Sequence, residues 1–99
     1  MITLVRTSTA LPGKIGEAVL WAKEIAAIVE RVTGKRPTVS TTFGGALGGI
    51  CWMGQFDNAG QLEQAISKLT ADRDYLTALT KAQGLFVAGS GHDQLWRQV

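Results

Sequence analysis

The chain has 99 residues, a formal net charge of +2, 45% hydrophobic and 18% charged side chains. That length suits one core, a single domain over residues 1–99, and the balance excludes a disordered chain. Its lysines and arginines are scattered, Lys35-Arg36 being the only adjacent pair, so the concentrated positive face of a nucleic-acid binder is missing.

Ile2 to Ser8 alternates and is rich in β-branched residues, which predicts a first strand. The opening segment lacks a positive stretch followed by a long apolar run, so no signal peptide is expected. Pro12-Gly13 then punctuates the chain. Ile15, Ala18, Val19, Ala22, Ile25, Ala26, Val29 and Val32 recur at three- and four-residue steps, predicting a helix over residues 13 to 33. Gly34 stands where a C-cap glycine belongs. Trp21 and Ile28 lie off the centre of that stripe, and the expectation is that they cover a flank at a subunit boundary.

Pro37 to Phe43 and Gly49 to Phe56 read as strands joined into a hairpin by a glycine-rich loop. Asn58 can cap a second helix, with Gln61 in the place of a capping-box partner. Leu62, Ala65, Ile66 and Leu69 supply its inner face. Between Thr70 and Asp72 the helix should break and restart, with Tyr75, Leu76, Leu79 and Ala82 continuing the stripe until Gly84. A loop, SGHD, precedes a last strand, QLWRQV. No apolar run approaches the roughly 20 residues of a membrane-spanning helix.

The order strand, helix, strand, strand, helix, strand is the α+β, ferredoxin-like βαββαβ arrangement: a four-stranded antiparallel sheet with both helices on one face. In the third strand Ile50, Trp52 and Phe56 point one way, and Cys51 and Met53 the other. A strand with one wet face should be polar on that side. This one is largely apolar on both, and the chain has no further element to cover the second face. A second copy meeting the first through a two-fold interface, a homodimer, is the expected cover.

The glycine loop, Gly44-Gly45-Ala46-Leu47-Gly48-Gly49, leads into strand material rather than a helix, and no lysine with a following Ser or Thr stands after its last glycine. It therefore fails the requirements of a phosphate-binding or dinucleotide-binding loop, and reads as a turn. His92 is the only histidine and Cys51 the only cysteine. Neither an internal disulfide nor a zinc site can be built from them, so the expectations are no metal, no cofactor and a cytoplasmic protein. Cys51 reads as a small hydrophobe, and the three tryptophans as packing and interface residues. Arg6 is different, because it interrupts a strand that should be central. Buried charge needs a partner. Either Arg6 pairs with a carboxylate across a dimer, or it lines a cavity and meets an anionic ligand.

Arg6-Thr7 followed by Pro12-Gly13-Lys14, then a long helix with an early Glu17, resembles the opening of NIPSNAP family domains. The third strand with Trp52, closing in Phe56-Asp57, is a further match. Asp72 and Tyr75 form an Asp-x-x-Tyr pattern similar to that of related dimeric α+β barrel proteins. Ser8 and Arg73 stand where such proteins usually have an aromatic residue and a proline. The resemblance implies a homodimer whose sheets face each other across a barrel interior. It also implies kinship with cofactor-free monooxygenases and haem-degrading enzymes. The haem-degrading pattern of an early Asn with Trp and His on helices is not met, since Asn58 is the only asparagine.

These readings converge on a dimeric α+β barrel protein that binds a small anionic or aromatic organic molecule in the barrel interior. Arg6, Leu4 and Trp52 would form the ligand wall, with His92 as the weak candidate for acid–base chemistry. No partner is expected in nucleic acid or membrane. The alternative is a cofactor-independent monooxygenase or isomerase acting on an aromatic or enolisable substrate.

Overall fold

A computed structural model describes all 99 residues, Met1–Val99. The chain runs β1 (Ile2–Thr9), α1 (Ile15–Thr33), β2 (Thr38–Thr41), β3 (Gly49–Phe56), α2 (Ala59–Thr70), α3 (Arg73–Lys81) and β4 (His92–Arg97). The sheet order is β2-β3-β1-β4 with every neighbouring pair antiparallel. This is the ferredoxin-like arrangement, with its second helix split in two. No helix is long and apolar enough to cross a membrane.

Helix boundaries follow local chemistry. Gly34 ends α1 in the left-handed conformation at φ 81°, its N–H donating to the Glu30 carbonyl. Asn58 caps α2 by accepting from the Gln61 N–H at 2.9 Å. The Gln61 side chain reaches back to accept from the Asp57 N–H at 2.8 Å, one residue earlier than a standard capping box. Asp72 restarts the helix as α3 by accepting from the Tyr75 N–H at 2.9 Å. Arg31 of α1 holds that joint from outside, donating to Asp72 at 2.9 Å and Asp74 at 3.4 Å.

Register fixes the two faces of the sheet. Ser8 stands opposite Ile50, Arg6 opposite Trp52, Leu4 opposite Gly54 and Ile2 opposite Phe56. Ile50 is almost completely buried against Ala18 and Ala22 of α1, so this whole even-numbered set faces the helices. Thr3, Val5, Thr7, Cys51 and Met53 face away. Helix α1 lies over β2 and β3, while β4 packs along β1 and all six of its residues are exposed. Ten residues are deeply buried and six of them are alanines. Small side chains let α1 sit close to the sheet at one end. Bulkier apolar residues of the sheet and helices, Trp52 and Phe86 among them, pack against the cluster of Ala18, Ala22 and Ile50 and also line a space between the layers.

Three sequence expectations shift. The second strand stops at Thr41, because the chain enters a glycine turn at Thr42 and leaves Phe43 fully exposed. Gly45 and Gly48 there have φ near +88° and +83°, and a side chain on Gly48 would press on the Ala10 carbonyl at 3.1 Å. The last strand begins at His92, not Gln94, because pairing with β1 carries it back through the polar pair His92-Asp93. Trp21 is not on an outer flank: its indole N–H donates to the Ala78 carbonyl of α3 at 2.7 Å.

Candidate functional site

Between the sheet and the helices lies a cavity of about 610 Å³. That volume falls in the range of pockets that enclose one organic molecule, roughly 300–1,000 Å³. Strands β1 and β3 supply its floor with Leu4, Arg6, Trp52 and Phe56. Helix α1 contributes Trp21, Ile25 and Val29; α2 and α3 close the far wall with Leu62, Leu69, Tyr75 and Leu79, and Phe86 stands at one end. The strand period of two and the helical steps of three and four thus aim separate stretches of sequence into one space.

An aromatic corner shapes the interior. Trp21 meets Trp52 edge-on with ring centroids 5.9 Å apart, and Phe86 at 5.5 Å; Trp52 and Phe86 are 6.2 Å apart. Edge-to-face contacts hold such rings in fixed relative orientation. Both indole N–H groups in this corner are already used. Trp21 donates to Ala78, and Trp52 to the Ala22 carbonyl at 3.4 Å. The tryptophans therefore present carbon surface to the cavity and leave its polar work to other groups.

Arg6 is the one charged residue among the lining side chains. Its Nε donates to Asp93 Oδ1 at 2.7 Å and its Nη2 to Asp93 Oδ2 at 2.8 Å, a two-pronged bridge between neighbouring strands. Of the two alternatives for Arg6, the structure combines parts of both: it has a carboxylate partner, supplied by its own chain, and it lines a cavity. The Asp93 hydrogen bonds keep the guanidinium more firmly protonated than an ordinary arginine, against the opposing effect of partial burial. Tyr75, which lines the same cavity, acts in the same direction. In return, Arg6 holds the Asp93 carboxyl below the usual carboxylate range.

Of the sequence-derived site residues, Arg6, Leu4 and Trp52 come together as one wall. That wall faces the helices of the same chain, because Trp52 shares the face of buried Ile50. The space it encloses is therefore within one chain, not between two sheets. His92 does not line this cavity; it stands beside Arg6, Gly91 and Asp93 at a small separate recess. Cys51 is partly buried on the opposite face, across from Thr7. No group of three or more His, Cys, Asp and Glu side chains clusters as metal ligands would. Trp21 and Tyr75 are the site residues that sequence reasoning did not assign. The Asp-x-x-Tyr pattern marked Tyr75, but only the fold brings it to the cavity that Arg6 lines.

Comparison with solved structures shows the same architecture in NIPSNAP family proteins. One from Agrobacterium tumefaciens aligns over 99% of this chain and 92% of its own, with TM-score 0.84 at 16% identity. An uncharacterized NIPSNAP domain protein from Burkholderia xenovorans aligns over 100% and 95%, with TM-score 0.85 at 15% identity. SnoaB, a cofactor-independent oxygenase from Streptomyces nogalater solved as a mutant, aligns over 98% and 91%, with TM-score 0.72 at 16% identity. No family model and no curated protein matches the sequence. The likeness is therefore one of fold: the chain has the ferredoxin-like α+β fold of NIPSNAP proteins and, more distantly, of a cofactor-independent oxygenase.

Proposed function

We propose that this chain is a NIPSNAP-like, single-domain cytoplasmic protein that binds a small, largely apolar organic molecule, aromatic in character, in the cavity between its sheet and helices. The observation that carries this reading is the hollow aromatic corner of Trp21, Trp52 and Phe86 beside the Arg6 and Tyr75 polar end. An apolar enclosure with few convergent polar groups is the ordinary form of a small-molecule site. The binding takes place in a homodimer formed through the outer sheet face, where Val5, Cys51 and Met53 have no covering element within the chain.

Binding is favoured over turnover by the character of the carboxylate nearest the site. A general base works best with a pKa near the operating pH. Asp93 is held lower still than an ordinary carboxylate, and so is a poor proton acceptor. The oxygenase reading keeps only the fold of SnoaB in its favour.

Calorimetric titration with 2-naphthol tests the proposal. The expected result is saturable binding at one site per chain, lost at least tenfold in Leu69→Trp, which fills the cavity from α2. Equal binding by a folded Leu69→Trp protein contradicts it.

A further inference from the structure

We propose that Asp93 sets the charge selectivity of the cavity, reserving it for uncharged ligands by occupying the arginine that would otherwise recruit an anion. This deepens the reading above and rests on it.

The argument starts from what Arg6 has left to offer. A guanidinium carries five N–H donors in a rigid fork, and its strongest recognition of an anion is two-pronged. Asp93 already occupies the Nε and Nη2 side of that fork at 2.7 and 2.8 Å. Asp93 is the only hydrogen-bonded partner of Arg6, which leaves two N–H groups on Nη1 and one on Nη2 as donors. They can still donate to a carbonyl or hydroxyl oxygen, but without the unmatched positive charge that would hold an anion against the loss of its hydration.

Charge points the same way. No lining residue other than Arg6 is charged, and its positive charge is matched by a carboxylate in contact. An anion entering the cavity meets a neutral pair and loses its own hydration without a compensating charge. A phenol, ketone or quinone loses far less. Asp93 does not itself line the cavity, so it acts through Arg6 as a positioning residue.

Its place in the fold makes the arrangement specific. Asp93 is cross-strand partner to Arg6 on an edge strand, with both side chains half-exposed. The pair adds little stability at that exposure. Electrostatic complementarity can instead act on which ligand is admitted.

The experiment compares two probes that share a ring system and differ in charge: 2-naphthol and 2-naphthoate at pH 7, by calorimetry. Wild-type protein should prefer the naphthol. In Asp93→Asn the ratio of naphthoate to naphthol affinity should rise roughly tenfold or more, the scale of one uncompensated charge at a partly exposed site. Asp93→Glu, which restores the carboxylate, should return the ratio towards wild type. In Arg6→Met/Asp93→Asn the gain should vanish. Asp93→Ser provides the same reading should the amide misfold. An unchanged or lower ratio in folded Asp93→Asn or Asp93→Ser overturns the inference while leaving the cavity as a binding site. Failure of both probes to bind wild-type protein instead removes the reading on which it rests.

Discussion

The two faces of the central strands are built from alternate residues of the same eight-residue segments, and they differ in kind. Towards the helices stand Leu4, Arg6, Ile50, Trp52 and Phe56: large groups, one charge, and a cavity. Away from them stand Thr3, Val5, Thr7, Cys51 and Met53, small to medium groups on the face that the helices leave open. In the proposed reading the outer face meets a second copy, and the hollow face holds a molecule. A one-residue slip in register would exchange them, which ties function to the cross-strand pairing of Arg6 with Trp52 and Asp93.

That contrast can be broken on either side. The largest effect should come from Ile50→Ala beneath α1, where a nearly fully buried side chain seals the closed end of the helix face. A loss of about 2–5 kcal/mol is expected from urea unfolding, and a loss under about 0.5 kcal/mol would mean that this end is not packed. On the outer face, Val5→Lys should leave the fold intact and shift the species seen by sedimentation from a dimer to the 10.6 kDa chain. A wild-type protein that sediments as a 10.6 kDa monomer at micromolar concentration would refute the dimer outright.

Arg6→Met sharpens the comparison, because it alters the hollow face without touching its packing end. Both partners of its ion pair are half-exposed. The cost should therefore stay within about 1 kcal/mol, not the roughly 3–5 kcal/mol of a broken buried pair. The smallest effect concerns pH. Asp93 titrates below its unfolded value, so its contribution is complete above about pH 4 and disappears as the pH falls through its lower, folded-state value. Melting temperature should fall on acidification in that window, and slightly less steeply in Asp93→Asn. An identical acid limb in the two proteins would show that the pair contributes nothing measurable.

Much of this was legible in sequence where the signal is local. Alternation in β3 separated its two faces, the break between α2 and α3 was expected between Thr70 and Asp72, and Gly34 marked the end of α1. What stayed hidden depends on distant partners. A single helical stripe cannot show that α1 packs on both the sheet and the α2–α3 layer, so Trp21 read as an outer residue. Polar His92-Asp93 read as a loop because its reason to be a strand, the bridge to Arg6, lies 87 residues away. The cavity itself is lined from both central strands and all three helices, a convergence that only the folded chain reveals.

The three tryptophans offer the most direct test of the central claim, that the ligand site is the hollow helix face. Trp21 and Trp52 line the cavity, whereas Trp96 pairs with Thr3 on the outer face. Their indole N–H signals can be followed separately in a nitrogen-edited NMR titration with 2-naphthol. The expected result is movement of the Trp21 and Trp52 signals with a common saturation curve while Trp96 stays in place. Movement of Trp96 with Trp21 and Trp52 unchanged would contradict the account, and would put the ligand on the opposite face of the sheet.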